Sequence, residues 1–232
     1  MYEGVHAYPD GQSTVARLAK TASVYGYTGL VIRNHGDAQA EYDPERVEER
    51  YGIDIVPGIE IRLDDPGQAS GLIGNYRSKR TIVCVHGGSL NRFAVEQPAV
   101  DVLAHPMRDG DINHVLAKAA AKNDVHLEFN FSHVLRSDGG VRVQTIQRLR
   151  KLRELTDKYD VPYVVSADAG SHLQLRAPRE LLAVGDTIGF DREAIETGLN
   201  AWGELAERNR IRRSDSVIEP GVRIESTDES DR

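Results

Sequence analysis

Histidine and acidic residues stand where several short apolar runs of this sequence end. Imidazole and carboxylate are the ligands that zinc, manganese and iron prefer in proteins. One such histidine alone is more often an ordinary hydrogen-bonding residue, but a repeated pattern favours a metal site, working or inherited. The six candidates for such a site, which we interpret as a vestigial one, are His6, His35, Glu60, His86, His105 and Asp168.

The apolar runs themselves predict strands that alternate with helices. Seven strand-length runs end near residues 6, 33, 61, 85, 104, 129 and 166. Nearly continuous apolar strands separated by helices indicate a parallel sheet covered by helices. Seven or more units favour closure into a barrel over an open sheet, although the strand count stays open. In a parallel α/β protein the strand ends share one face, so the candidate residues should converge there.

The helices are marked by stripes of apolar residues and by capping residues. We predict Ser13 as the cap of a helix to Tyr25, and Asp111 as the cap of a helix near 112–120. Further helices are predicted at 44–51, 141–159, 178–184 and from Asp191 onward, while residues 66–79 are ambiguous. No G-x-G-x-x-G follows the first strand, which weakens a dinucleotide-binding interpretation. The predicted fold class is therefore α/β, a TIM-like (β/α) barrel with parallel strands and outer helices.

Composition bounds the class of protein. The 232 residues are 40% hydrophobic and 28% charged, and no apolar run approaches the roughly 20 residues of a membrane helix. Met1 lies just ahead of the first strand, so we expect no leader segment and a cytoplasmic location. The single cysteine, Cys84, is predicted to be a core residue, which excludes a disulfide scaffold or a cysteine-based zinc site. We predict one barrel domain at 1–213 and an acidic, disordered tail at 214–232.

The charge balance does not decide whether the partner is a nucleic acid. A net charge of −7 would by itself argue against phosphate binding. However, arginine outnumbers lysine by 23 to 6 and acidic residues are spread along the whole chain. This composition is typical of a protein adapted to high salt, in which the overall charge says little about one face.

Several motifs resemble the PHP family (polymerase and histidinol phosphatase) of barrel enzymes that hold up to three metal ions. The segment from His6 to Gly11 is similar to that family's opening H-x-H motif, and Glu60 to its bridging glutamate. His105-Pro106 and Asp168 are similar to its later histidine and final aspartate motifs. Tyr8 and Gly170 stand where the family has two further histidine ligands. The resemblance therefore implies a PHP-type barrel without a complete multi-metal site.

A second resemblance covers the chain to about residue 210. The segments Tyr2–His6, Gly29–Asn34, Val56–Ile61, Val85–Gly88, Val102–Pro106 and Arg176–Glu180 resemble the family of archaeal ribonuclease P protein component 3, homologous to the eukaryotic 30-kilodalton subunit. The resemblance implies a non-catalytic protein subunit from a haloarchaeon. Its implied partners are the ribonuclease P RNA, a small ferredoxin-like protein subunit, the other ribonuclease P proteins and precursor tRNA. It implies no cofactor for the protein, Mg²⁺ for the RNA, and room for a residual divalent ion.

Basic residues near strand ends and helix ends are candidates for contact with RNA or a partner. Guanidinium binds phosphate with two parallel hydrogen bonds, which favours arginine for this task. On general grounds, each cluster is more often a solvated face. The candidates are Arg33, Asn34, Arg62, Arg77, Lys79, Arg80, Arg136, Arg150, Lys151, Arg176 and Arg179. With only 14 aromatic residues, sequence-specific stacking on single strands is not expected.

Three functions remain open from the sequence. The first is a structural subunit of the ribonucleoprotein that removes the 5′ leader from precursor tRNA. The second is a stand-alone metal-dependent phosphoesterase of the PHP type. The third, a salt-adapted barrel of sugar metabolism, has no substrate motif behind it. We expect the first.

Overall fold

The computed structural model describes residues 1–214, together with the short strands at 217–219 and 222–223. Among these residues the strands of the main sheet are β1 (Tyr2–Val5), β2 (Gly29–Ile32), β3 (Asp54–Ile61), β4 (Ile82–His86), β5 (Val102–Ala104), β6 (His126–Asn130) and β7 (Tyr163–Ser166). The helices are α1 (Val15–Tyr25), α2 (Pro44–Tyr51), α3 (Pro66–Arg77), α4 (Asn91–Val95), α5 (His114–Asn123), α6 (Ser132–Arg136), α7 (Gly139–Tyr159), α8 (Pro178–Ile188) and α9 (Arg192–Arg213).

The seven strands of the main sheet are parallel and pair in chain order from β1 to β7. The sheet closes on itself through a bridge between Val5 and Ala169, where the backbone N–H of His6 donates to Ala169 at 3.0 Å. This confirms the predicted TIM-like barrel, with seven strands in the described part of the chain. The carboxyl ends of all strands consequently share one rim, which we call the barrel mouth.

Alternate residues of each strand face two separate cores. Leu30 and Ile32 of β2 pack in the outer core beneath the helices, whereas Val31 between them packs inside the barrel. Cys84 of β4 is also inside and fully buried, as predicted. This alternation places Arg33, the residue after Ile32, on the inward face.

Helix α9 closes the end of the barrel opposite the mouth. It packs against β7, β1 and β4, and its Trp202 belongs to the interior core. The Trp202 indole N–H donates to the carbonyl of Val165 at 2.9 Å, and Asn209 donates to Thr81 and Asp101. In the described part of the chain, α9 thus packs against both β1 and β7, the two strands that the Val5–Ala169 bridge joins.

Two helix caps differ from the prediction. Thr14, not Ser13, caps α1, because the Ser13 hydroxyl is engaged with His172 at 2.8 Å. Asn113, not Asp111, caps α5 and accepts from two backbone N–H groups, while Asp111 binds Lys151 across 2.6 Å. The ambiguous segment 66–79 contains helix α3.

The predicted tail lies mostly outside the described residues. Within it, β8 (Val217–Glu219) and β9 (Val222–Arg223) pair antiparallel. Whether 214–232 is a disordered tail stays a prediction. None of the helices in the described part of the chain is long and apolar enough to span a membrane.

Candidate functional site at the barrel mouth

The six residues predicted from strand ends meet at the barrel mouth. His6 and Asp168 follow β1 and β7, His35 and His105 follow β2 and β5, and Glu60 and His86 close β3 and β4. His6, His35, Glu60 and His105 are all less than a tenth exposed. The structure arranges them as two adjoining groups that share Glu60.

The first group, here the histidine cluster, consists of His6, His35, His86 and His105 around Glu60. Nε2 of His35 lies 3.5 Å from Glu60 Oε1, Nε2 of His6 lies 3.6 Å from Oε2, and Nε2 of His105 lies 3.7 Å from Oε1. Nδ1 of His86 is hydrogen-bonded to Glu60 Oε1 at 2.5 Å. Successive imidazole rings lie 4.6 to 5.8 Å apart, so the four rings form an arc around one carboxylate.

Asp10 orients two of these imidazoles. Its Oδ2 lies 2.7 Å from Nδ1 of His6 and 2.9 Å from Nδ1 of His35, and it accepts the backbone N–H of His35 at 3.0 Å. A carboxylate that accepts an N–H at Nδ1 fixes the ring orientation and leaves Nε2 facing the other way. Both Nε2 atoms therefore face Glu60.

The second group, here the arginine cluster, is centred on Arg33, which has no exposed surface. Nη1 lies 2.8 Å from Glu128, Nη2 lies 2.8 Å from Asp168, and Nε lies 3.5 Å from Glu60. The guanidinium also lies 5.6 Å from the centre of the Trp202 ring. One fixed cation thus joins carboxylates from β3, β6 and the end of β7.

The pKa values reflect this concentration of acids. Burial alone would lower the pKa of His6, but hydrogen bonds to Asp10 and Asp168 and the charge of Glu60 raise it to about 9. Burial opposes ionisation of Glu60, yet Arg33 and the neighbouring histidines hold its pKa well below the usual range. His105 behaves differently, because burial lowers its pKa.

The histidine cluster fits a divalent ion, whereas the arginine cluster does not. In the described structure the buried atom His35 Nε2 has no hydrogen-bond partner and lies 3.5 Å from Glu60 Oε1, whereas Glu60 Oε2 lies between His6 Nε2 and Arg33 Nε. Ligand atoms of His35, Glu60 and His86 lie within 4.8 Å of one another. Adjacent ligands around a tetrahedral zinc are about 3.3 Å apart, close to the 3.5 Å between His35 Nε2 and Glu60 Oε1, whereas His86 Nδ1 would have to move outward from its 2.5 Å hydrogen bond to Glu60. Around Arg33, by contrast, the space between the carboxylates is filled by the guanidinium.

Above the two clusters the mouth opens as a cavity of about 400 Å³ with a basic rim. Arg62, Arg108 and Arg136 line it together with His133. Arg136 is held against the rim by hydrogen bonds to the carbonyls of Ala167 and Asp168. Arg108 was not among the predicted residues, since it lies in a loop after β5 with no distinguishing motif.

The other basic candidates lie in different environments. Arg33 and Asn34 are buried, and Asn34 binds backbone groups of Ala7 and Ala38, so the prediction that they contact RNA directly is corrected. Arg77 is turned to the closed end of the barrel, where it pairs with buried Asp101 at 2.5 Å. The remaining candidates are at least partly exposed, and their contact with RNA stays a prediction: Arg62, Lys79, Arg80, Arg136, Arg150, Lys151, Arg176 and Arg179.

Three functional acids escaped the sequence interpretation. Asp10 lies in the loop four residues after His6. Glu128 lies on the inward face of β6, where the alternation along the strand was the available signal, whereas Glu3 shares the outward face of β1 with Val5. Glu3 accepts hydrogen bonds from the Ser166 hydroxyl and the Ala167 backbone, which position the β7 end. Burial raises the pKa of Glu3 to about 8, although these hydrogen bonds oppose the shift.

Comparison with known proteins gives a consistent result over nearly the whole chain. Residues 3–214 match the sequence profile of the family described as RNase P subunit p30. The chain is 71% identical to ribonuclease P protein component 3 of Natronomonas pharaonis, over 98% of this chain and 97% of that protein.

Two solved structures are similar in fold. A chain in a cryo-EM structure of archaeal ribonuclease P with mature tRNA superposes with a TM-score of 0.82 at 25% identity, over 99% of this chain and all of that chain. Histidinol phosphate phosphatase of Lactococcus lactis, complexed with zinc, L-histidinol and phosphate, gives a TM-score of 0.56 at 12% identity, over 82% of this chain and 94% of that chain. The second likeness concerns the fold alone.

Proposed function

Since the chain belongs to the RNase P subunit p30 family and is a protein subunit of ribonuclease P, we propose that its barrel supports the catalytic RNA and performs no cleavage itself. The arginine cluster is the observation that supports a chain without cleavage activity of its own. Hydrolysis of a phosphate ester at several metal ions needs open coordination positions for substrate and water. Here a buried guanidinium takes up three of the carboxylates at the barrel mouth.

The partners of this role are the ribonuclease P RNA, the other protein subunits and the tRNA substrate, in line with the assembly that the 25%-identical chain belongs to. We place a small ferredoxin-like subunit among those proteins. The exposed arginines at the mouth, Arg62, Arg108 and Arg136, suit phosphate oxygens because each presents several N–H donors. Contact with the RNA backbone would then weaken as salt rises. The cytoplasm is the proposed location.

The experiment is reconstitution of precursor-tRNA cleavage from the RNA and its protein subunits at high, fixed KCl and limiting Mg²⁺. Omitting this chain should lower the cleavage rate. With the His35→Gln variant in place of the unchanged chain, the cleavage rate should stay within about twofold of the rate with the unchanged chain. Removing a group that acts in the chemistry typically lowers the rate about 100-fold or more. A loss of that size with unchanged assembly would contradict the non-catalytic role.

A residual divalent ion in the histidine cluster is a separate proposal, supported by the unpartnered atom His35 Nε2 and by the ligand atoms of His35, Glu60 and His86, which lie within 4.8 Å of one another. The ion would be held by His35, Glu60 and His86, with His6 adjacent, and would act as a Lewis acid when bound. Asp10 would serve as the carboxylate that orients the ligands. Titration of the metal-free protein with Mn²⁺ or Zn²⁺ should give one ion per chain, and Asp10→Asn should weaken binding by about 10-fold or more. The exposed His114→Gln is the control. Binding unchanged by Asp10→Asn would contradict this site.

The alternative function, a stand-alone phosphoesterase, keeps some support from the same histidine cluster and the basic rim. It predicts metal-dependent release of phosphate from small esters by the purified chain. Such turnover, if abolished by His35→Gln, would replace the proposed function. An inert chain that stimulates the RNA would exclude the phosphoesterase.

A further inference from the structure

Arg33 lies where three buried carboxylates from distant parts of the chain converge. Glu60, Glu128 and Asp168 carry three negative charges, and the first two have no exposed side-chain surface. Burying charges without a counter-ion is expensive, so buried carboxylates are normally paired or bound to metal. Within the described residues, the arginine guanidinium is the fixed cation that contacts all three.

The surroundings are shaped to hold this one side chain. A Cβ added to Gly4 would lie 3.3 Å from Cδ of Arg33 and 3.2 Å from the Trp202 ring, so the missing side chain makes room for both. Trp202 lies beneath the guanidinium, and Asp168 is fixed in turn by its backbone N–H bond to Glu3 at 3.2 Å. Arg33 is therefore built into the barrel and is not a surface residue folded inward.

We infer that Arg33 is an internal counter-cation that replaces a bound metal ion at the barrel mouth, and that removing it converts Glu60, Glu128 and Asp168 into a site for a divalent cation. The donors of that latent site are all carboxylate oxygens, which suit Mn²⁺, Mg²⁺ or Ca²⁺. The barrel thus folds without metal at a position where its three acids would otherwise need one. This role of Arg33 is independent of the proposed support of the catalytic RNA.

The test uses Arg33→Met in the full chain, which keeps much of the side-chain volume and removes the charge. With EDTA present, its midpoint of thermal unfolding should fall by about 10 °C relative to the unchanged chain, because Glu128 loses its cation and Glu60 and Asp168 keep only histidines such as His6 as ion-pair partners. With Mn²⁺ in place of EDTA at constant KCl, the difference in midpoint between this variant and the unchanged chain should shrink by at least half. By equilibrium dialysis, Arg33→Met should bind one more Mn²⁺ than the unchanged chain.

Arg77→Met is the matched control, because Arg77 also pairs with a buried carboxylate, that of Asp101. Asp101 keeps Arg208 and Asn209 as partners, so this variant should stay as far below the unchanged chain in Mn²⁺ as in EDTA and should bind no additional ion. If Arg33→Met yields no folded protein, the double variant Arg33→Met with Glu128→Gln carries the test. Because Glu128→Gln removes one of the three negative charges, the double variant should fold in EDTA. It should bind its additional Mn²⁺ more weakly than a site with three carboxylates would.

Three results would overturn the inference. One is an Arg33→Met protein as stable in EDTA as the unchanged chain. Another is a destabilised protein that stays as far below the unchanged chain in Mn²⁺ as in EDTA and binds no additional ion, since Arg33 would then act through packing and hydrogen bonds. The third is a double variant that fails to fold in EDTA, or that folds but binds no additional ion.

Discussion

Trp202 offers the most direct test of how helix α9 closes the barrel. Its side chain is fully buried in the interior core, its indole N–H is bonded to Val165, and its ring lies beneath Arg33. Replacing a buried tryptophan by alanine costs about 3 to 5 kcal/mol. Loss of the ring–guanidinium contact adds up to about 1 kcal/mol. We therefore expect Trp202→Ala to lower the free energy of unfolding by about 3 to 6 kcal/mol, a large part of the roughly 5 to 15 kcal/mol of a typical domain.

Trp202→Phe separates packing from hydrogen bonding. It keeps an aromatic ring in the core and removes the donor to Val165, so the expected loss is about 1 to 2 kcal/mol. The assay is urea unfolding at fixed KCl followed by far-UV circular dichroism. Fluorescence serves only for the unchanged chain, because Trp202 is the single tryptophan of the sequence. A loss below about 1 kcal/mol for Trp202→Ala would refute the view that α9 is an integral part of the barrel core.

Three further predictions concern other buried groups. Because the pKa of Glu3 is raised to about 8 in the folded chain against roughly 4.3 when unfolded, its proton stabilises the fold at low pH. That contribution is lost as pH rises from about 5 to 8 at up to 1.4 kcal/mol per pH unit. The free energy of unfolding, measured by urea denaturation across this pH range, should fall less steeply for Glu3→Gln than for the unchanged chain. Equal slopes for the two proteins would contradict the prediction. Asp101→Asn leaves Arg77 and Arg208 without their carboxylate, so it should lower the free energy of unfolding, measured by urea titration, by about 2 to 3 kcal/mol. An unchanged free energy of unfolding would show that solvent screens both arginines. Cys84, fully buried with its pKa raised by burial, should resist alkylation by iodoacetamide until urea unfolds the chain, and rapid labelling of native protein would indicate an open barrel.

The sequence was sufficient to predict the frame of the site. Apolar runs ending in His6, His35, Glu60, His86, His105 and Asp168 predicted parallel strands whose ends converge, and the fold brings all six together. Helix boundaries were predicted less well where several capping residues compete. Asp111 and Asn113 are both good caps, and only the position of Lys151 on α7 shows which of them is otherwise engaged.

Acidic and basic residues away from the strand ends were harder to assign. Glu3 and Glu128 stand in apolar strands, where an acid gives no sign of its partner. Asp10 lies in a loop, and its role depends on two imidazoles meeting one carboxylate oxygen. The basic rim was predicted in part, through Arg62 and Arg136, but Arg108 joins it only because the loop after β5 folds over the same cavity.

The sequence by itself determined the barrel, its mouth and the family, because strand periodicity, strand-end residues and ordered motifs are local properties of the chain. Only the tertiary structure decided the role of Arg33. A strand-end arginine has the same sequence signature whether it reaches for a phosphate or turns into the barrel. Its partner Asp168 lies 135 residues further along, and barrel closure is what brings the two within 2.8 Å. Burial beside three carboxylates then makes Arg33 an internal cation with no exposed surface.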